Sequence, residues 1–176
     1  RVIAPISPAV AEAKSRIAAL ARSGKTRLLG AEALELLALA GIPTAPLRPI
    51  GDLSDLDSAA SEIGYPLVLK LEAESLVHKT DIGGVITDIR TREELRREYN
   101  ALRQRAHERG LDQARVVIQS MVAGGVEMVL GMVRDPKFGP LVMCGLGGIF
   151  VEVVQDVAFK LPPLSPDDAR EMIGHL

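Results

Sequence analysis

Aromatic residues are scarce, with 3 Phe, 2 Tyr and no Trp making up 3% of the 176 residues. A base-stacking surface needs such rings interleaved with cations, and the net charge of −2 supplies no basic excess. Neither a nucleic acid nor an acidic membrane is therefore expected as a partner. Cysteine is almost missing. The single thiol, Cys144, excludes an internal disulfide framework and cannot form a zinc site with three scattered histidines. It fits a reducing cytosol, and its place beside Gly145 reads as core packing rather than nucleophilic catalysis. No apolar run approaches the roughly 20 residues that a membrane span needs, and no signal peptide is recognisable. The chain opens on Arg1 rather than methionine and closes at Leu176 inside an expected helix, which suggests a fragment of a larger polypeptide.

Apolar residues are plentiful, at 47% against 25% charged, enough for a core in one domain or two small lobes. Ser7 is placed to cap a helix over 8–22 with Val10, Ala13, Ile17 and Leu20 on one stripe, ended by Gly24. A second helix over about 31–40 stops at Gly41-Ile42-Pro43. Strand 44–50, helix 54–63, strand 66–71 and strand 85–90 follow. Thr91 with Glu94 forms a capping box for a helix over 92–109. Beyond Gly110 the texture turns to valine, isoleucine and methionine, predicting strands at 114–121, 125–135, 139–144 and 149–156, then a helix opened by Ser165.

Chemistry concentrates between residues 65 and 85. The run Tyr65-Pro66-Leu67-Val68-Leu69-Lys70 is a buried-strand pattern ending in a charge, and His78-Lys79-Thr80-Asp81-Ile82-Gly83-Gly84-Val85 follows it. Lys70 would set a point positive charge at the strand's mouth, and Gly83 and Gly84 would let backbone N–H groups close around phosphate oxygens. A strand-end lysine reaching for solvent is the plainer reading of Lys70. A lone loop histidine is ordinarily a solvated or hydrogen-bonded residue, but a neutral imidazole is also a competent nucleophile toward phosphorus. These residues point to phosphoryl chemistry with a nucleotide. His107 and His175 fall on helical faces and read as surface residues.

Two apparent phosphate motifs fail on spacing. Ser23-Gly24-Lys25-Thr26 imitates the end of a P-loop, but Ala19 stands where the first glycine belongs and a helix precedes it. Gly145-Leu146-Gly147-Gly148 imitates a dinucleotide fingerprint, but Phe150 occupies the third glycine's place and a strand is expected next. A tight turn between strands explains it better.

Five ordered segments together carry a closer resemblance: Gly41-Ile42-Pro43, Gly64 through Lys70, His78 through Val85, Asp135-Pro136-Lys137-Phe138-Gly139-Pro140, and Gly145 through Glu152. Over residues 24–176 the chain resembles the ATP-grasp part of ADP-forming (NDP-forming) acyl-CoA synthetases, relatives of the succinyl-CoA synthetase beta subunit. The resemblance implies an α+β fold in which nucleotide lies between two α+β lobes, here C-terminally truncated. It implies 1–23 as a linker helix from a preceding ligase region, 24–113 as the first ATP-grasp portion and 114–176 as a strand-rich, incomplete second one.

The implied reaction moves phosphate reversibly between ATP or ADP and a phosphohistidine relay during acyl-CoA formation, in the cytoplasm. The implied partner is a CoA-binding ligase domain or subunit, in a homo- or hetero-oligomer. The motif histidine is His78, and Lys70 falls on the strand lysine that contacts nucleotide phosphates. Lys79 either contacts phosphate or raises the local potential. Asp81 either orients the imidazole or caps the loop. Gln119, Met121 and Val122 match the linker that holds adenine, which ordinary strand core would also explain. Glu127, placed among apolar residues inside the next strand, needs a ribose hydroxyl, a metal or a lysine to offset its burial. Glu152 and Asp156, four apart on one strand face, either hold Mg²⁺ against the phosphates or pair with Lys160 or an arginine. The family's downstream Glu-Leu-Asp-x-Asn-Pro-type segment, expected to add metal ligands, is not in these 176 residues. A regulatory, ligand-sensing module of a protein lysine acetyltransferase is the alternative function, since such modules share this region. Retention of His78 and Lys70 favours the enzyme.

Overall fold

The computed structural model describes residues 7–73, 76, 82–148 and 157–176. They divide into two compact units, Ser7–Val122 and Ala123–Leu176, with the latter unit described from its assigned residues only. In the first unit, α1 (Pro8–Arg22) and α2 (Gly30–Leu39) precede β1 (Leu47–Ile50), α3 (Leu53–Ile63), β2 (Leu67–Glu72), β3 (Val85–Ile89), α4 (Arg92–Glu108) and β4 (Arg115–Ser120). In the second, β5 (Met128–Asp135), β6 (Gly139–Leu146) and β7 (Val157–Lys160) precede α5 (Pro166–Gly174).

Local chemistry sets the helix boundaries. The Ser7 hydroxyl accepts the Val10 N–H at 3.2 Å, and Thr91 and Glu94 exchange the bonds of a capping box. At α2 the cap is one-sided: Glu32 reaches back to the Leu29 N–H at 3.0 Å while Leu29 has no side-chain acceptor. Lys25, from the false P-loop, pairs with that same Glu32. The apolar stripe of α1 is only partly used. Ala13 is buried, but Val10 and Ile17 remain exposed, because among the described elements α1 packs mainly on α2.

The first sheet is antiparallel in the order β1-β4-β2-β3. Its register separates two faces. Leu67, Leu69 and Leu71 lie beside Ile118 and Val116 on the face that meets α3 and α4, where Leu95, Tyr99 and Leu102 recur at helical spacing. Val68 and Lys70 share the opposite face with Gln119 and Val117. This placement of β4 corrects the expected boundary at residue 114. Its apolar texture resembles that of the following strands, but its partners are β1 and β2, so it belongs to the first sheet. Strand texture reports burial and not which sheet supplies it.

Charges tie the layers together. Asp57 on α3 accepts from the Nε of Arg92 at 2.9 Å and of Arg96 at 3.2 Å, and each guanidinium adds a second contact. These forked bonds hold the Asp57 carboxyl well below the usual carboxylate range and raise both arginines. Arg48 of β1 donates to Glu62 of α3 at 2.7 Å.

The second sheet is antiparallel in the order β5-β6-β7, with α5 against β6 and β7. Met172 and Cys144 are buried there, so the thiol does occupy core. The expected strand at 149–156 lies outside the described residues. The described strand after β6 is β7, with Val142 opposite Lys160 and Cys144 opposite Ala158.

Candidate active site

Every residue of β2 is buried except Lys70, which is partly exposed. A cation in such a strand requires polar company. Lys70 Nζ donates to Gln119 Oε1 at 2.6 Å, from a position diagonal to it across the β2–β4 pair. An ammonium only donates, so the amide oxygen must face the lysine and the amide nitrogen must point elsewhere. Gln119 is itself buried, where an amide without partners would be costly. Two residues nominated separately in sequence are thus one hydrogen-bonded unit.

The chain leaving β4 is fixed on both sides. Ser120 donates its N–H to Pro46 O at 2.9 Å and Met121 donates to Pro66 O at 3.1 Å. Met121 is half-buried, and Val122 is 75% exposed.

The glycine pair after the histidine segment is held through its carbonyls. Leu71 N–H donates to Gly84 O at 2.8 Å, and Gly84 is buried. Gly83 has φ 63, and its carbonyl accepts from Arg105 Nη1 at 3.1 Å. Leu76 and Ile82, the described residues flanking 77–81, both pack against the hydrophobic core. Sequence reasoning missed Arg105 because it lies on α4, far along the chain from the glycines, and no local spacing links them. His78, Lys79 and Asp81 lie outside the described residues, as do Glu152 and Asp156.

Glu127 departs from expectation. It is exposed and precedes β5 instead of lying buried within it, so its carboxylate has no burial penalty to offset. Its carbonyl accepts the Gly147 N–H at 2.7 Å, extending the β5–β6 pairing into the glycine turn. A Cβ at Gly147 would lie 3.0 Å from Glu127 C and 3.1 Å from Met128 N, while one at Gly148 would lie 2.6 Å from Glu127 Oε2. Glu127 therefore meets the glycine turn. Lys160 is held by Asp168 at 3.1 Å and Glu171 at 2.5 Å, which makes these carboxylates its established partners. His107 is exposed beside Asp112, with Nδ1 to Oδ1 at 2.7 Å, and that carboxylate raises its pKa. His175 is exposed at the end of α5. Among the described residues no cluster of three or more His, Cys, Asp or Glu could hold a metal ion.

An ATP-grasp domain family matches residues 19–176, nearly the whole chain. The chain belongs to the ATP-grasp family. It is 40% identical over 158 residues to the beta subunit of ADP-forming acetate–CoA ligase I of Pyrococcus furiosus, covering 89% of this chain and 68% of that subunit. It is 39% identical over 150 residues to ADP-forming acetate–CoA ligase I of Archaeoglobus fulgidus, covering 84% of this chain but 22% of that longer one. Among solved structures it resembles the dinucleotide-forming acetyl-coenzyme A synthetase 1 of Ca. Korarchaeum cryptofilum. The complex with coenzyme A, Ca-AMPCP and HgCl+ gives a TM-score of 0.83 at 36% identity, covering 92% of this chain and 72% of that one. A second complex, with coenzyme A and Mg-AMPPCP and its phosphohistidine segment pointing towards the nucleotide-binding site, gives 0.76 at 36% identity, covering 93% and 70%. The α+β, ATP-grasp fold expected from sequence is thus the fold of this chain. No described helix is long and apolar enough to cross a membrane.

Proposed function

We propose that this chain is the nucleotide-binding part of an ADP-forming acyl-CoA synthetase, working in the cytoplasm with a CoA-binding ligase domain or subunit in an oligomeric enzyme. The observation that carries this reading is the Lys70–Gln119 unit, 2.6 Å across, at the start of the Met121-Val122 linker in an ATP-grasp chain. Lys70 offers phosphate oxygens its ammonium from a position fixed by a buried amide. The Met121 N–H is already donated to Pro66, so its carbonyl is the group left to read the exocyclic amine of adenine. Val122, exposed, supplies apolar cover to the ring.

In the ATP-forming direction, phosphate from an acyl phosphate reaches a histidine on the ligase part and then His78, leaving the free carboxylate. Its P–N bond to His78 breaks as a β-phosphate oxygen of ADP forms the new P–O bond. In reverse, the imidazole nitrogen attacks the γ-phosphorus of ATP and ADP leaves. Lys79 adds positive potential, and Asp81 orients the ring. Mg²⁺, when bound, would neutralise phosphate charge. Carboxylates are chemically suited to such a hard ion, and Glu152 and Asp156 are the proposed ligands. Positioning and charge stabilisation carry most of such a transfer.

The decisive experiment is γ-labelled ATP added to the full-length enzyme. An acid-labile, alkali-stable label mapped to His78 is expected. His78→Asn should abolish label at that site and acyl-CoA formation while sparing nucleotide affinity. Normal acyl-CoA formation by the variant would exclude a relay through His78.

A further inference from the structure

β5 is an edge of the second sheet, and it lacks the protection that the other sheet edges carry. β1 holds Pro49 within its four residues, β3 contains Asp88 in the left-handed region at φ 60, and β7 is four residues long with Pro162 and Pro163 close behind. β5 runs for eight residues without a proline, and among the described residues nothing pairs with its outer side. Edges are ordinarily blunted by proline, kinks, charge or shortness, because an open one templates pairing with another chain.

The inner pairing of β5 decides which groups it offers. The Glu127 carbonyl accepts from Gly147, and successive residues of an antiparallel strand alternate in the direction of their backbone groups. Met128, Leu130 and Met132 therefore turn N–H and C=O outward. Their side chains share one face with Cys144 and Lys160. α5 packs on that face mainly over β6 and β7, where Lys160 meets Asp168 and Glu171. It leaves Met128, Leu130 and Met132 at 44%, 74% and 69% exposure.

We infer that β5 is a self-association surface, pairing antiparallel with β5 of a second copy of this chain about a two-fold axis. An axis normal to the sheet places residues of like parity opposite one another, because side chains alternate between faces. Centred on Leu130, it sets Leu130 against itself, Met128 against Met132 and Glu127 against Val133. The outward-turned backbone groups of all three apolar residues then meet. Centred on Gly131, it would set Glu127 against Asp135, and like charges directly opposite are destabilising. The strand is thus complementary to its own reverse, which selects a second copy over an unrelated strand. Met128, Leu130 and Met132 of both copies join in one apolar stripe.

The test is light scattering on the full-length enzyme, as wild type, Leu130→Lys, Leu130→Glu and an equimolar mixture of the two variants. Wild type should carry about twice as many copies of this chain per particle as either variant alone. Mixing the variants should restore the wild-type mass, because Leu130 faces its own counterpart. A Leu130→Cys variant is made in a Cys144→Ala background, which removes the thiol opposite Leu130 on β6. Oxidation should join two copies, since hydrogen-bonded antiparallel partners lie about 5.5 Å apart, within disulfide reach. Met132→Cys in that background should stay uncrosslinked. Equal mass in wild type and Leu130→Lys overturns the inference. Unchanged mass with a lower melting temperature also overturns it, because the stripe would then be covered within one copy or by a different subunit. Loss of mass that mixing does not restore, with no crosslink through Leu130→Cys, overturns it as well.

Discussion

Lys70 and Gln119, far apart in sequence, meet at 2.6 Å because β2 and β4 run antiparallel with Val68 opposite Gln119 and Lys70 opposite Val117. Gln119 is buried and Lys70 is not, so the pair presents a charge at the surface from a fixed buried base.

Lys70→Ala should weaken Mg-ADP binding by about 1.5–3 kcal/mol, the range for a hydrogen bond to a charged group. Calorimetry on the full-length enzyme checks this. Gln119→Met removes the oxygen that aims the ammonium, so it should weaken binding in wild type and have much less effect in the Lys70→Ala background. Equal effects in both backgrounds would show that Gln119 acts independently of Lys70.

Acid should weaken the α3–α4 connection through Asp57. Its folded carboxyl sits below the ordinary value because Arg92 and Arg96 donate to its charged form. The unfolded chain therefore takes up the proton first as pH falls, and stability declines through the interval below about 3.9. Asp57→Asn should lower the melting temperature at neutral pH, and the gap from wild type should narrow as pH falls through that interval. A gap independent of pH would assign the loss to packing.

Gly147→Ala should disrupt the β5–β6 pairing by overlap with backbone, whereas Gly148→Ala carries the strain of its φ of 66 as well as a side-chain clash. The first methyl meets backbone at 3.0 and 3.1 Å, whereas the second meets the far end of a glutamate. Denaturation should show a loss of about 1–3 kcal/mol for Gly147→Ala, as for other overpacked sites. Glu127→Ala should recover part of the stability lost in Gly148→Ala and none of that lost in Gly147→Ala. Recovery in both would mean that the backbone approach is not limiting.

Leu102→Ala should cost about 2–5 kcal/mol by opening a cavity between α4 and the first sheet. Leu102 is fully buried in that core. Urea denaturation with an unchanged slope and a lower midpoint is the expected signature. A change confined to the slope would place the effect in the unfolded state.

Short-range features were legible in the sequence because their causes are local. The Ser7 and Thr91 caps, the apolar spacing of α4 and the apolar β2 run each need only neighbouring residues to be recognised, although β2 continues through Glu72 and so holds Lys70 within the strand and not at its end. The ordered motifs also indicated the ATP-grasp family, which the match over 19–176 established. Tertiary structure decided the rest. Whether β4 joins the first or second sheet depends on hydrogen bonds to β1 and β2, and an apolar run is equally suited to either. Glu127 reads as buried from its neighbours, but it precedes the strand and is exposed beside the glycine turn. Arg105 could not be selected among the arginines of α4 until folding brought one guanidinium to the Gly83 carbonyl. Sequence determines which groups are present and their local periodicity, whereas chain reversal alone brings distant donors and acceptors within bonding distance.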